Sequence, residues 1–287
     1  MCEIQIIERI VLIYKESTYS RYFKGKKFNP EIRLLKELHD KHFCMVEKVI
    51  SFLRKEGMQV TPLKRAQLKP IQDQDIDLVI TIGGDGTFLD TSHFVREVPM
   101  WGINSTPSHS VGYFMSATPQ NFESQWGKLI QGQLPRLKLH RLKIKVNGRN
   151  LPKLILNDLL VAHVNPSSIS RYELQVGTRK EEHKSSGLWI ATAAGSTAAI
   201  RSAGGKVLPL ESKQIQYLVR EPYHGRQNRY HLVKGVVTPK TEIKVISQMH
   251  EAACYLDGPR VLYPIGYGDR IEIKLSERSL SVMGSIR

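Results

Sequence analysis

The sequence predicts an α/β domain built on a parallel sheet, followed by a β-sandwich. Two observations lead there. In residues 1–118 short, continuously apolar runs alternate with helical periodicity, the order that buries a parallel sheet on both faces. From 119 to 287 the rhythm changes to many short alternating segments separated by turn residues, as antiparallel strands in two packed sheets require. A length of 287 residues allows two such domains, each with its own core. The boundary is expected near residues 115–120, and the sequence leaves open whether the final strands return to the first domain.

The elements follow in order. "ERIVLIYK" (Glu8 to Lys15) is a buried first strand, short and rich in branched residues. Asn29 caps a helix whose apolar positions, Ile32, Leu35, Leu38, Phe43, Val46, Val49, Ile50 and Leu53, recur at helical spacing, and Gly57 stops it. "DLVITI" (77–82) and "PMWGIN" (99–104) are further strands, with the helical "GTFLDTSHFVRE" (86–97) between them. In the second domain "RLKLHRLKIKVNG" (136–148) alternates apolar and basic residues. "KLILNDLLVAHV", "SRYELQV" and "GLWIAT" continue that tempo, and "TEIKVIS", "AACYLDG", "DRIEIKL" and "SLSVM" repeat it.

Composition narrows the function classes. Hydrophobic residues at 41% and charged residues at 24% sit near the globular average and exclude fibrous and disordered classes. No run approaches the ~18 apolar residues of a membrane span, and no cleavable leader is legible, so the cytosol is the expected compartment. Cys2, Cys44 and Cys254 are far apart and lack metal-ligand spacing; they read as packing residues in a reducing environment. A net charge of +15 favours polyanions or phosphate-bearing substrates. The basic stretches "RYFKGKKF" and "PLKRAQLKP" lack interleaved aromatics and read as solvated faces, so nucleic-acid binding rests on charge alone. His39 and His42, in "HDKH", have no third ligand at useful spacing and are assigned to an exposed helix face, with no metal site.

Two segments carry chemistry. After the strand 77–82, "GGDGT" (83–87) places Gly83, Gly84 and Gly86 where the chain turns sharply and its backbone can approach a ligand. Exposed N–H groups there, at a helix start, suit phosphate oxygens. Asp85 is then anomalous. Phosphates repel a carboxylate unless it holds a metal ion or takes a proton from an attacking hydroxyl, and phosphoryl transfer needs both tasks. The alternative is that Asp85 only caps the helix. The spacing is neither GxxxxGK[ST] nor GxGxxG. The second segment, "SSGLWIATAAGSTAAIRSAGG" (185–205), runs a strand into small residues and then a helical stretch. Small side chains leave room for a flat ligand, and the hydroxyls of Thr192, Ser196 and Thr197 can hydrogen-bond it. Its alternative is a Ser-capped helix packed through alanines.

With both segments in view the chain resembles the NAD kinases. In that family's order it shows "GGDGT" (83–87), "GINS" (102–105), "GYF" (112–114), "ND" (157–158), "TAAGSTAA" (192–199), "SAGG" (202–205) and "YLDG" (255–258). Ala193 and Ala194 replace the usual Pro-Thr, Asp158 replaces Glu, Ser186 stands for a common Asp, and Ala199 replaces Tyr. The stretch 185–205 together with "VREPY" (219–223) looks most like the plant branch described as NADH kinase. The resemblance implies a Rossmann-like first domain, a β-sandwich second domain, and transfer of the γ-phosphoryl of ATP to the adenosine 2′-hydroxyl of NAD or NADH, with Mg²⁺ bridging the donor phosphates. It makes Asp85 the general base and assigns Gly83, Gly84, Gly86 and Thr87 to the phosphates. Asn104 carries over as a binding residue, Tyr113 and Phe114 as a wall against a base ring, and Asn157 and Asp158 as contacts to adenosine and ribose. Thr192, Ala193, Ser196 and Thr197 surround adenine or ribose. A homo-oligomer is implied, with a dimer favoured over a tetramer and no membrane partner.

Rival readings are a lipid kinase of the diacylglycerol or sphingoid type, which shares a related glycine-aspartate loop, and a non-catalytic dinucleotide sensor. "GSTAA" and "SAGG" stand against the first, and the intact Asp85 against the second.

Overall fold

The computed structural model describes residues 7–25, 30–225 and 229–286. Cys2, the Asn29 cap and residues 26–28 of the first basic stretch lie outside the described residues. The chain divides into two compact units, Met1–Lys138 with Leu280–Arg287, and Leu139–Ser279.

The first unit is α/β. In chain order it contains β1 (Arg9–Tyr14), α1 (Thr18–Tyr22), α2 (Pro30–Lys55), β2 (Gln59–Lys64), β3 (Leu78–Gly83), α3 (Asp85–Ser92), β4 (Met100–Asn104), α4 (Phe122–Ile130) and β5 (Arg136–Leu139). The second unit supplies β6 (Leu142–Val146), β7 (Arg149–Asn150), β8 (Asp158–His163), β9 (Ser170–Val176), β10 (Arg179–Ser185), β11 (Gly187–Ala191), α5 (Ala199–Ser202), β12 (Ile215–Arg220), β13 (Lys234–Val237), β14 (Ile243–Ser247), β15 (Ala252–Leu256), β16 (Val261–Ile265) and β17 (Arg270–Leu275). The chain then returns to the first unit as β18 (Leu280–Met283).

The first sheet has the order β2-β1-β3-β4-β18-β5, and β1 is parallel to both β2 and β3. Every residue of β3 and β4 is buried, which explains their unbroken apolar runs. Helix α2 covers the sheet with Ile32, Met45, Val46, Val49 and Leu53, and the expected periodicity matches its buried stripe. It ends at Gly57, whose φ of +86° lets Met58 N–H reach the Leu53 carbonyl at 3.0 Å. His42, expected on an exposed face, is buried instead, on that stripe one helical turn before Met45 and Val46. Cys44 is exposed on the same helix, so of the two described cysteines only Cys254 is a packing residue.

In the second unit two six-stranded antiparallel sheets, β10-β9-β14-β17-β6-β7 and β13-β12-β11-β8-β15-β16, share one hydrophobic core. Alternate residues face inward: Ile144, Tyr172, Leu174, Ile271 and Ile273 from one sheet, Leu159, Val161, Leu188, Ile190 and Cys254 from the other.

The break between units falls after Lys138 rather than at 118. Helix α4 buries Phe122, Trp126 and Leu129 in the first core, carrying the first unit past the expected boundary. "RLKLHRLKIKV" reads as one alternating segment but divides at His140 into β5 and β6, which join different sheets. The helix expected over 86–97 stops at Ser92, as Phe94 N–H turns back to the Thr91 carbonyl at 2.9 Å.

Candidate active site

In the first unit the candidate site is built on the β3–α3 turn. Buried β3 delivers the chain to Gly84, which caps α3 in an extended conformation without a side-chain cap, so the first N–H groups of the helix are left without a side-chain acceptor. Asp85 opens the helix and is half-buried. Its Oδ1 accepts the Phe114 N–H at 2.9 Å, while Oδ2 has no hydrogen-bond partner among the described residues. The missing side chains have steric reasons. A Cβ on Gly83 would stand 2.6 Å from Thr87 Oγ1, and one on Gly84 would stand 2.5 Å from Ser110 Oγ. Thr87 is itself buried beneath the loop.

Residues 105–114 form the second wall. Asn104, at the end of β4, holds them from inside: its Oδ1 accepts Thr106 N–H and its Nδ2 donates to the Ser110 carbonyl, both at 3.1 Å. Gly112 lies against that amide with φ +63°, so a Cβ there would overlap Asn104 Nδ2. Asn104 thus shapes the loop, and its amide oxygen is already occupied. Phe114 departs from expectation. Its ring is 1% exposed and stacked on Phe88 at 5.1 Å, so it is a core aromatic and its N–H is what it offers the site. Tyr113 stays half-buried, edge-on to Phe114 at 5.3 Å, and is the more accessible of the two rings.

In the second unit Asn157 and Asp158 are held by a residue to which the sequence reading gave no role. Asp257 follows β15 with φ +51°, and its carboxylate accepts three consecutive backbone N–H groups, from Leu156 (2.9 Å), Asn157 (2.6 Å) and Asp158 (3.1 Å). "YLDG" was the signal: an Asp-Gly pair leaving a strand marks a left-handed turn. The 192–197 turn closes on the same backbone. Thr192 N–H donates to the Asn157 carbonyl at 2.9 Å, Thr192 Oγ1 donates to the Leu156 carbonyl at 2.5 Å, and Gly195 lies with its Cβ position 2.7 Å from Asn157 Cα and overlapping that residue's carbonyl.

Two expected ligand hydroxyls are therefore engaged. Thr192 also accepts Gly195 N–H, and Ser196 Oγ donates to the Ala193 carbonyl at 2.6 Å while accepting Leu208 N–H at 2.9 Å. Both are buried, as is Ala193; only Thr197 of the group is half-buried, with a long 3.4 Å bond to the Ala194 carbonyl. A tight 3₁₀ turn over Ala194–Thr197 and a four-residue α5 replace the expected helix. Asn157 Oδ1, by contrast, is a buried acceptor without a partner among the described residues, the kind of group a ligand donor satisfies.

The two carboxylates share one environment. Burial pushes Asp158 up to about 6. Burial also pushes Asp257 up to about 7, with Asp158's charge adding to the rise and the three N–H bonds opposing it. A carboxyl raised in the folded state holds its proton there after the unfolded chain has released it. Its contribution therefore favours folding below the unfolded value and is lost as pH rises from about 4 toward 7. Buried His42, pushed down to about 4, contributes with the opposite slope over an overlapping range, so a difference between proteins is the clean readout. Asp158→Asn is expected to match the wild type near pH 4 and to gain stability over it with rising pH, by about 3 kcal/mol at pH 8. Thermal denaturation across that range checks it; a constant difference would remove the coupling.

Residues 24–134 match the family described as ATP-NAD kinase N-terminal domain. A probable NADH kinase from Oryza sativa subsp. japonica is 36% identical over 283 residues, covering 89% of this chain and 85% of that one. The NADH kinase of Arabidopsis thaliana is 33% identical over 268 residues, 83% and 84% of the two chains. Among solved structures, yeast NADH kinase complexed with NADH aligns over 98% of this chain and 84% of its own, with a TM-score of 0.72 and 16% identity. An NAD kinase from Archaeoglobus fulgidus in complex with ATP aligns over 96% and 92%, with a TM-score of 0.66 and 22% identity. At those identities the two structures speak for the fold, while the plant sequences speak for descent.

Proposed function

The chain belongs to the NAD kinase family, and from that premise we propose that it transfers the γ-phosphoryl group of ATP to the adenosine 2′-hydroxyl of NADH or NAD, giving NADP(H). The observation that carries the reading is Asp85: a half-buried carboxylate at the start of α3, on a loop bare of side chains, with one oxygen anchored and the other without a partner. The Phe114 N–H fixes the orientation of the carboxylate. Oδ2 then accepts the proton of the attacking hydroxyl as its oxygen bonds to the γ-phosphorus and the bond from that phosphorus to the β,γ-bridging oxygen breaks, releasing ADP.

Each remaining group has a task in this reading. The uncapped N–H groups at Gly84 and Gly86 receive phosphate oxygens, and Tyr113 supplies an aromatic face. The orphan Oδ1 of Asn157 accepts from the adenosine amine or a ribose hydroxyl, with Asp158 beside it in sequence. Thr192, Ala193 and Ser196 act through the backbone they hold, and Thr197 is the hydroxyl left for direct contact. Mg²⁺ belongs to the same reading as a cation carried on the donor phosphates, since it keeps substrate oxygens and waters among its ligands and asks the protein for one or two carboxylates, of which Asp85 is the one at this loop. When bound it would offset charge on the triphosphate. In this reading NADH comes first among acceptors, an order that the names of the plant relatives support. A homodimer belongs to the same reading, and sedimentation velocity tests it.

The decisive assay incubates purified protein with Mg-ATP and either NADH or NAD and measures NADP(H) by enzymatic cycling. Product from both, with NADH used faster, is expected. No product from either dinucleotide overturns the kinase reading and turns attention to lipid acceptors.

A further inference from the structure

The first sheet changes direction in mid-course. Chain order runs from β1 outward to β2, then crosses to the other side of β1 for β3 and β4, so the strand order reverses between β1 and β3. In open α/β sheets the crevice beyond the carboxyl ends of the strands flanking such a reversal is where ligands bind. The register aligns those ends. Tyr14 pairs with Lys64 and with Ile82, and Gly83 pairs with Asn104, so Arg65, Lys15, the glycine loop and Ser105 stand in a row at one edge of the sheet.

Lys15 is the first residue beyond β1. Its side chain is half-buried, and its ammonium has no hydrogen bond or ion pair among the described residues. Burial and the nearby Arg65 guanidinium both hold its pKa below the ordinary value. Arg65 has a partner, Asp90 of α3, at 3.3 Å. The backbone at Lys15 is fixed. His42 Nε2 lies 3.0 Å from the Lys15 carbonyl and its Nδ1 lies 2.8 Å from Ser105 Oγ, while Ser105 N–H donates to the Gly83 carbonyl at 3.1 Å. A neutral imidazole, donating through Nε2 and accepting from the Ser105 hydroxyl, spans the ends of β1 and β4 and fixes the backbone from which the lysine side chain extends. An isolated cation in a half-buried crevice is unfavourable unless an anion joins it.

We propose that Lys15 is a donor-binding residue whose ammonium contacts the terminal phosphates of the nucleoside triphosphate at the glycine loop. The assignment rests on the kinase reading for its choice of the donor over the dinucleotide. If Asp85 takes the acceptor's proton, in-line transfer places the γ-phosphoryl beside Asp85, and adjacent strands are only about 5 Å apart. Lys15 stands one strand away from that point.

The test titrates wild type, Lys15→Met and Lys15→Arg with a Mg-bound, non-hydrolysable ATP analogue and with NADH by calorimetry, alongside thermal melts and KM values. Lys15→Met is expected to weaken nucleotide binding at least fivefold, raise KM for ATP in parallel, leave NADH binding within twofold, and melt no lower than the wild type because it removes a buried unpaired charge. Lys15→Arg retains most of the nucleotide affinity. A loss below fivefold in Lys15→Met, an equal loss for NADH, or a wild type that binds no nucleotide overturns the proposal. Lys15-dependent nucleotide binding in a protein that makes no NADP(H) would leave this site standing and remove the kinase reading instead.

Discussion

Asp85→Asn is expected to lower kcat by roughly 10²–10⁴-fold, the range that a positioned general base supplies, and to leave dinucleotide binding in place. The substitution isolates proton transfer. Asparagine keeps an oxygen where Oδ1 accepts the Phe114 N–H, so the loop's anchor to residues 105–114 survives. What disappears is the basic oxygen at Oδ2. Asp85→Ala would confound the result by releasing that anchor as well. Single-turnover rates together with NADH binding by fluorescence separate chemistry from affinity. A kcat within fivefold of the wild type would return Asp85 to the role of helix cap.

Gly195→Ala is expected to destabilise the second unit by about 3 kcal/mol or more, at the upper end for overpacking. The added methyl meets the backbone of Asn157, not a flexible side chain that could swing aside. That backbone is held from two directions, by Asp257 through Asn157 N–H and by Thr192 through the Asn157 carbonyl. Relief of the clash must break one of these holds, so activity falls together with stability. Urea denaturation checks the first effect and KM for the dinucleotide the second; a variant with unchanged midpoint and KM would show that the turn can move.

The central strands and the long helix of the first unit were legible because their burial is complete or strictly periodic. β3 and β4 lie buried throughout, and α2 shows a helical stripe that any sheet-covering helix must carry. Edges were illegible for the opposite reason. β2, "QVTPLK", carries a proline and mostly exposed side chains because it has only one neighbour, and β10, "RKEEHKS", is almost wholly polar at its own sheet edge. Helix α4 shows the right spacing in Phe122, Trp126 and Leu129, but it is only nine residues long and was passed over. At the candidate site Gly83, Gly84 and Gly195 stand where an added side chain would collide with neighbouring protein atoms, which the glycine pattern made visible. Side-chain direction was invisible. Thr192, Ser196 and Phe114 look like ligand contacts in one dimension, yet backbone carbonyls and Phe88 had already claimed them. Asp257 was missed because its three partners lie about a hundred residues earlier, a distance no local pattern spans.

The placement of β18 between β4 and β5 sets a timetable for the nascent chain. As the ribosome releases β4, the neighbour it will finally pair with has not been made, and the whole of Leu139–Ser279 must be translated first. The second unit, continuous in sequence, can complete its core in that interval. The first waits with the β4 edge bare, a surface that invites pairing with the wrong strand. Only when Val282 and Met283 align with Met100 and Trp101 does the relay from the Trp101 indole through Ser116 Oγ to the Met283 carbonyl close. β18 is therefore the latch on the first sheet begun, and until it closes the β4 edge carries unpaired backbone groups.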